Sequence, residues 1–330
     1  MQTYRIIGSE LSPYSVKVRS YFRYKGIPHR WLPRNAETQA EFQKYARLPL
    51  IPLVITPDAR GLQDSTPILE AMERIHPEPS IHPNAQPAAF VSVLLEELGD
   101  EWGNKWMFHY RWARDVDQWS AAGRIARSMQ PDAEPQQVAE TTARVRERML
   151  GRVGLVGSSA QTAAPIERSF QEALESLELH LRERAYLFGA RPVLADFGLF
   201  AQLYEAWTDP TAGAWIEGRA PSVLAWIQRM LWPRAEGELE AWDRIESGLL
   251  PLLEQAAQLF LPWSCANEAA LSAGDATFSV PLRGETWTQV PQKYHARSLA
   301  ALRAKYADQS SDSAVRSLME RTGCATYLQR

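Results

Sequence analysis

The spacing of apolar and polar positions changes several times along the chain, and each change marks an element. Tyr4–Ile7 is a short β-branched, aromatic and apolar run ended by Gly8, the pattern of a buried strand. Ser12-Pro13 then opens a helix. Serine is a preferred N-cap, and proline suits the first helical position, where its missing N–H has no partner to lose. Val16, Val18 and Phe22 give this helix an apolar side. Gly26-Ile27-Pro28 turns the chain into a second strand, His29–Leu32, parallel to the first by the right-handed crossover rule. A helix with a charged face, Glu37–Tyr45, follows. In Leu48–Ile55 two prolines bracket an apolar strand. Proline is not tolerated inside a central ladder, so Pro52 is expected to open the strand, and a cis Ile51-Pro52 bond fits there. Asp58–Gly61 reads as a hairpin loop and Leu62-Gln63 as a brief strand. Asp64-Ser65-Thr66-Pro67 starts a helix whose apolar face is Ile68, Leu69, Met72 and Ile75. The predicted order up to residue 76 is β-α-β-α-β-β-α.

Pro77–Pro87 carries four prolines and reads as a linker. From Ala88 the period is helical. Val91–Trp119 reads as one long helix or a pair, with Leu94, Leu95, Leu98, Trp102, Trp106 and Tyr110 at helical spacing. Further helices are predicted over Gln136–Gly151, Pro165–Tyr186, Leu194–Trp207 and Ser222–Leu231; the third is almost uniformly apolar and should be buried. The tail after residue 247 reads as a helix (Leu249–Leu261), a β-hairpin in FSVPLRGETWTQV, and helices over Tyr294–Tyr306 and Ser313–Arg321, the last stopped by Gly323. Phe278, Val280, Trp287 and Val290 need cover, so the tail should pack on the body. It could close an interdomain cleft there or enlarge a dimer contact.

Composition narrows the function classes. A chain of 330 residues, 45% apolar and 23% charged, has room for two domains with well-buried cores. The net charge of −3 points to neither a nucleic-acid nor a membrane partner. Cys265 and Cys324 are the only cysteines and form no CxxC, so no dithiol site or disulfide framework is indicated. The six histidines stand apart, and no metal site is expected. The N-terminus has no apolar stretch of the signal-peptide kind, and Leu249–Leu261 is too short and polar to span a bilayer. A cytoplasmic protein is the expectation. The chemistry then centres on Ser12. A helix N-terminus presents free N–H groups and partial positive charge, so Ser12 is either a cap alone or a cap that also serves an anionic ligand.

The layout resembles a glutathione transferase: a thioredoxin-like domain (1–78), a linker (79–87), an all-α domain (88–247) and here an extra C-terminal extension (248–330). Ser12-Pro13-Tyr14-Ser15 stands where the family has its S/C-P-x-S/C helix start, Ile51-Pro52-Leu53 resembles its cis-proline loop, and Asp64-Ser65 its acidic–serine pair. Gly189–Phe197 is similar to the start of the family's buried core helix, and the stretch 99–112 to that of a bacterial subgroup with a long tail.

The resemblance implies that glutathione is a co-substrate. The Ile51-Pro52-Leu53 segment would pair through the Leu53 backbone with the cysteinyl part. Asp64 and Ser65 would hold the γ-glutamyl end, and Ser12 would donate to the thiolate. Lowering a thiol pKa from ~8.5 by two units takes only about 2.7 kcal/mol, within reach of one charge-assisted hydrogen bond plus the helix dipole. The thiolate would then attack a small-molecule electrophile, the protein being a homodimer. Tyr14, Trp102, Trp106, His109 and Tyr110 are candidate walls of the electrophile pocket. Tyr4 and Tyr14 are alternative hydroxyls for the thiolate.

The chain departs from the family pattern in three places. Serines at both cysteine-type positions rule out thiol–disulfide chemistry at Ser12. Leu50 replaces a common lysine, leaving Arg34, Lys44 or Arg47 to meet the glycine carboxylate. Val193 replaces a Ser/Thr cap three residues before Asp196, a structural residue near a helix start. The bland readings stand beside these: Ser12 and Asp64-Ser65 as plain helix caps, and the tryptophan stripe as core. The alternative function is a transferase-fold protein that binds glutathione or a protein partner without catalysis.

Overall fold

The structure, a computed structural model, describes residues 3–329. Strands β1 (Tyr4–Gly8), β2 (His29–Pro33), β3 (Leu53–Ile55) and β4 (Gly61–Gln63) form one sheet in the order β2-β1-β3-β4. β1 and β2 are parallel, with Ile6 opposite Trp31; β3 runs antiparallel to both β1 and β4, placing Leu53 between Ile7 and Gln63. Alternate strand residues face opposite sides. Ile6 and Val54 therefore enter the large core with Tyr21, Phe22, Leu69 and Met72 of α1 (Pro13–Tyr24) and α3 (Ser65–Ile75). Ile7, Leu53 and Ile55 form a smaller core with Phe42 of α2 (Gln39–Tyr45). Gly8 is what lets α1 begin so close to the sheet: a Cβ there would lie 2.7 Å from the Trp31 ring and 2.9 Å from the Ser15 Cβ. The Ile51-Pro52 bond is cis, and Pro52 immediately precedes β3.

The helical part departs from the simple pattern near its start. α4 (Ala88–Glu97) passes through a wider π-helical turn, Leu98–Gly103, into α5 (Asn104–Ala113). Arg114 is extended (φ −123°, ψ 143°), and α6 (Asp115–Met129) sets off afresh, so Val91–Trp119 is not one helix. α7 (Pro135–Leu150) folds back on α6. α8 (Ala163–Leu181) buries the stripe Ile166, Phe170, Leu174, Leu177 and Leu181. α9 (Leu194–Trp207) is buried on almost every side, as its uniform apolarity predicts. It crosses the π-helical turn closely: a Cβ on Gly99 would come within 2.8 Å of the Gly198 backbone. Asp196 organises the start of α9, accepting from the N–H groups of Val193 and Leu187 and from the Trp226 indole, all at 2.9 Å. The lost side-chain cap at Val193 is offset by its backbone carbonyl, which accepts from Asp196 N at 2.9 Å. α10 (Pro210–Arg219), which the sequence pattern does not single out, and α11 (Pro221–Met230) complete this part.

The boundary expected at 247/248 falls inside a helix, α12 (Trp242–Gln255), which continues through a π-helical turn into α13 (Leu261–Ala273). The hairpin of β5 (Phe278–Leu282) and β6 (Glu285–Gln289) turns at Arg283 and Gly284, both at positive φ (49° and 83°). Phe278 and Trp287 are buried, whereas Val290 stays 47% exposed, against the expectation that it needs cover. Lys105 of α5 reaches into this seam. Its Nζ sits 3.6 Å from the Trp263 ring centre, with Trp102 and Trp287 around it, and donates to the Val156 carbonyl at 3.0 Å. α14 (Lys293–Gln309) lies along α4, and α15 (Ser313–Thr322) ends at Gly323 before the short α16 (Ala325–Leu328). Among the described residues no helix is long and apolar enough to cross a membrane.

Candidate functional site

Ser12 is the N-cap of α1 in the structure. Its backbone is extended (φ −118°, ψ 112°) and its Oγ accepts from the Ser15 N–H at 3.3 Å. The side chain is half-buried, and one lone pair and the hydroxyl proton have no partner among the described residues. Arg111, buried in the helical part, donates from Nη1 to the carbonyl of Leu11 at 3.1 Å, while Asp209 and Glu205 hold its other nitrogens at 2.7 Å. The turn carrying Ser12 is thus tied to α5, α9 and the start of α10.

The loop before β3 is held by Gln63. Its Oε1 accepts from the N–H groups of Arg47 (2.8 Å) and Leu48 (3.0 Å), and its Nε2 donates to the carbonyls of Leu48 and Leu50. Nothing in the sequence pattern flags this glutamine; only pairing of Leu53 with Gln63 brings it beside the loop. Leu48 and Leu50 are left exposed, Ile51 is half-buried, and Pro52 is buried. Of the cations considered for a glycine carboxylate, Arg34 stacks on Phe42 at 4.0 Å and Lys44 on Tyr45 at 5.1 Å, while the Arg47 side chain is exposed.

Asp64 precedes α3 with φ 76°, but its carboxylate makes no cap bond. The plain-cap reading of Asp64 is therefore corrected: Oδ1 accepts instead from the hydroxyl of Tyr294 on α14, at 2.9 Å. Burial pushes the Asp64 carboxyl up from its ordinary pKa, and the Tyr294 hydrogen bond opposes this. Ser65, 2% exposed, directs its Oγ to Asp100 Oδ2 at 3.4 Å. Tyr14 also leans on Asp100, donating to its carbonyl at 3.1 Å. Burial, then the negative charges of Glu101, Asp100 and Asp64, holds the Tyr14 phenol well above its usual range. As a neutral donor already engaged, it is not a free hydroxyl for a thiolate. Tyr4 is further off this corner, with its hydroxyl 3.4 Å from His76 Nε2.

Beneath these residues lies a buried ion cluster. Lys17 of α1 contacts Glu96 and, at 2.6 Å, Asp100; it also donates to Thr66 of α3 at 3.0 Å. Burial works against the Lys17 charge, but the two carboxylates outweigh it and hold it charged. Burial pushes Asp100 up to about 7 in spite of Lys17. This cluster ties the first turns of α1 and α3 to the π-helical turn. The only sequence signal for it is a lysine and acids set in otherwise apolar helix faces. Glu101, next along, is held by His295 and by Ser298, which donates at 2.8 Å.

The aromatic stripe belongs elsewhere. Trp102 and Trp106 are 0% and 1% exposed and both donate to Ser169 Oγ of α8. Tyr110 packs on Phe170 at 4.6 Å. His109 lies between Ser158 (2.7 Å) and Glu167 (3.0 Å), and burial lowers its pKa. These four are core side chains, which corrects their reading as walls of an open electrophile pocket; the one-sided stripe was packing against α8. An open cleft of about 470 Å³ does occur between the loop after β2 (Asn35–Glu37) and the ends of α6 and α7 (Met129, Gln130, Arg144), but Ser12, Pro52 and Asp64 do not line it. Among the described residues no cluster of three or more His, Cys, Asp or Glu could hold a metal ion.

Two family profiles match the chain: the N-terminal domain of glutathione S-transferase over residues 11–75, and its C-terminal domain over residues 137–229. Among solved structures the chain is similar to a glutathione S-transferase of Methylobacterium radiotolerans in complex with glutathione sulfonate (18% identity, 72% of this chain and 99% of that one, TM-score 0.43). It is also similar to a glutathione S-transferase of Methylobacillus flagellatus with glutathione bound (20%, 69% and 94%, TM-score 0.41). A third is the β-etherase LigF of Sphingobium (19%, 70% and 95%, TM-score 0.47). No curated protein matches. With the profiles of both family domains matched in the family's order, and a thioredoxin-like domain followed by a helical one, the chain belongs to the glutathione S-transferase-like family.

Proposed function

We propose that this protein binds glutathione at the corner formed by Ser12, the Pro52–Leu53 loop and Asp64–Ser65, and conjugates its thiolate to a small electrophile. The observation that carries the reading is the convergence of these segments. Lys17 joins the first turns of α1 and α3 by its 3.0 Å bond to Thr66, while Leu53 pairs with both Ile7 and Gln63. The α1 N-terminus then offers a half-free hydroxyl and a positive dipole end to an anionic sulfur. The extended loop before β3 offers backbone groups to a peptide ligand. Ser12 in place of cysteine supports conjugation over thiol–disulfide exchange. A cytoplasmic, homodimeric protein with a detoxifying role belongs to the same proposal.

A second reading, binding without turnover, is favoured by the burial of Trp102, Trp106, His109 and Tyr110, which takes four of the five candidate electrophile-pocket walls into the core. Retention on immobilised glutathione, followed by conjugation to a generic aryl halide with wild type and Ser12→Ala, separates the two. Turnover that drops on Ser12→Ala supports the first reading. Retention without turnover supports the second, and lack of retention overturns both.

A further inference from the structure

The Asp64–Ser65 corner is already occupied by the chain's own extension. Tyr294 places its hydroxyl 2.9 Å from Asp64 Oδ1, and negative charge from Glu101, Asp64 and Asp100 surrounds it. Its backbone is fixed on both sides. Gln292 exchanges two hydrogen bonds with Asn267 (Gln292 N to Oδ1 at 2.7 Å, Nδ2 to the Gln292 carbonyl at 3.0 Å), and His295 is held by Glu101 and by the Trp263 ring at 4.7 Å. The buried residues of α14 are Leu299, Leu302 and Tyr306, all beyond this turn. Tyr294 itself remains 41% exposed although its hydroxyl is bonded. A side chain in that position can rotate to another staggered rotamer facing water without moving the helix. The hydrogen bond it gives up is replaced by water on the phenol.

We propose that Tyr294 is a gate on this corner: its hydroxyl holds the carboxylate that the ammonium of an incoming amino-acid end would take, and the side chain swings to solvent when such a ligand binds. The inference rests on the proposed glutathione site and adds to it a residue from the C-terminal extension. The ligand class follows from the chemistry: an ammonium replaces a neutral phenol on a carboxylate, and charge-assisted bonds are the stronger ones. A ligand that binds only the open state has its apparent affinity reduced by the fraction of protein that is open. With the open state at roughly a tenth of the population or less, the gate weakens glutathione binding about tenfold or more.

The test is calorimetric titration of glutathione into wild type, Tyr294→Phe and Tyr294→Ala, with circular dichroism and melting curves confirming the fold of each. Alongside it, wild type carrying 3-fluorotyrosine is followed by fluorine NMR, the Tyr294 signal being assigned by its loss in Tyr294→Phe. The expected result is binding at least about fivefold tighter in Tyr294→Ala, an intermediate gain in Tyr294→Phe, and movement of the Tyr294 signal at saturating glutathione. Equal or weaker affinity in Tyr294→Ala, or a signal that does not move while glutathione binds, overturns the gate and leaves the site standing. No binding to any of the three proteins overturns the gate and the site together.

Discussion

Arg111 Nη1 donates to the carbonyl of Leu11 at 3.1 Å, so a guanidinium buried in the helical domain holds the residue that precedes Ser12. Glu205 and Asp209 pair with the same group from the other side, and Arg124 joins at Asp209. Removing one partner of a buried pair strands the others and costs roughly 3–5 kcal/mol. Arg111→Ala should lose about that much in urea unfolding, because buried Glu205 loses its cation and Asp209 keeps only Arg124. Arg111→Lys keeps a charge but not the fork, so it should fold and still loosen the Ser12 turn. The check is conjugation kinetics: a lower kcat with little change in KM for glutathione is expected. Unchanged kinetics in a folded Arg111→Lys would show that the tie is structural only.

Asp196 carries three donors at the start of α9 and is fully buried. Burial pushes its carboxyl up to about 6, with the three hydrogen bonds opposing. Asp196→Ala leaves Val193 N, Leu187 N and the Trp226 indole unpaired, at about 1–3 kcal/mol for each buried donor. A loss of several kcal/mol, or failure to accumulate folded protein, is expected. A melting temperature within two degrees or so of wild type would contradict this.

Lys105 gives a pH signature. Burial lowers its pKa from 10.5 to about 7, against the opposing pull of Glu101. The unfolded chain keeps the proton to about 10.5, so between pH 7 and 10.5 the unfolded state binds more protons than the folded one. Stability from this group therefore rises with pH across that window, by at most about 1.4 kcal/mol per pH unit. Comparing wild type with Lys105→Met by urea unfolding should show the wild type gaining on the variant from pH 7 to 10. A difference independent of pH would contradict the assignment.

Gln63 should matter more for binding than for stability. Its amide makes four hydrogen bonds to the backbone of residues 47–50, a surface loop with little buried apolar area. Gln63→Ala should cost about 1 kcal/mol in stability but let the loop before Pro52 wander. Glutathione affinity measured by calorimetry should fall about tenfold, since ordering the loop is then charged to binding. Unchanged affinity would place the ligand elsewhere.

The β-α-β-α-β-β-α order was legible because its signals are local: Ser12-Pro13, Pro52 and Ser65-Thr66-Pro67 each announce an element within four residues. The α9 helix and the Arg283-Gly284 hairpin were legible for the same reason. The break at Arg114 was not, since the tryptophan spacing runs on across it; nor was the π-helical turn, where Gly99 packs against Gly198. The candidate site was half legible. Ser12, Pro52 and Asp64 stand out by residue type, but Lys17, Asp100, Gln63 and Arg111 act through contacts 13 to 100 residues away in sequence. The same distance hid Tyr294, whose contact with Asp64 spans 230 positions and brings part of the tail to the candidate site. The tryptophan stripe misled because aromatic clustering does not distinguish core from pocket wall, and here α8 and the extension cover it.

A glutathione thiolate stabilised by Ser12 at the head of α1 would ionise more readily than a free one. The most direct measurement is the pKa of the bound thiol, followed by ultraviolet absorbance of the thiolate as pH is varied, in wild type and Ser12→Ala. A free thiol ionises near ~8.5, and one charge-assisted hydrogen bond is worth about 1.5–3 kcal/mol, or one to two pKa units. In wild type the bound thiol should ionise at least about one unit below the free value, and in Ser12→Ala it should return towards it. A bound thiol that ionises at the free value in wild type, or a depressed value that Ser12→Ala leaves in place, would contradict it.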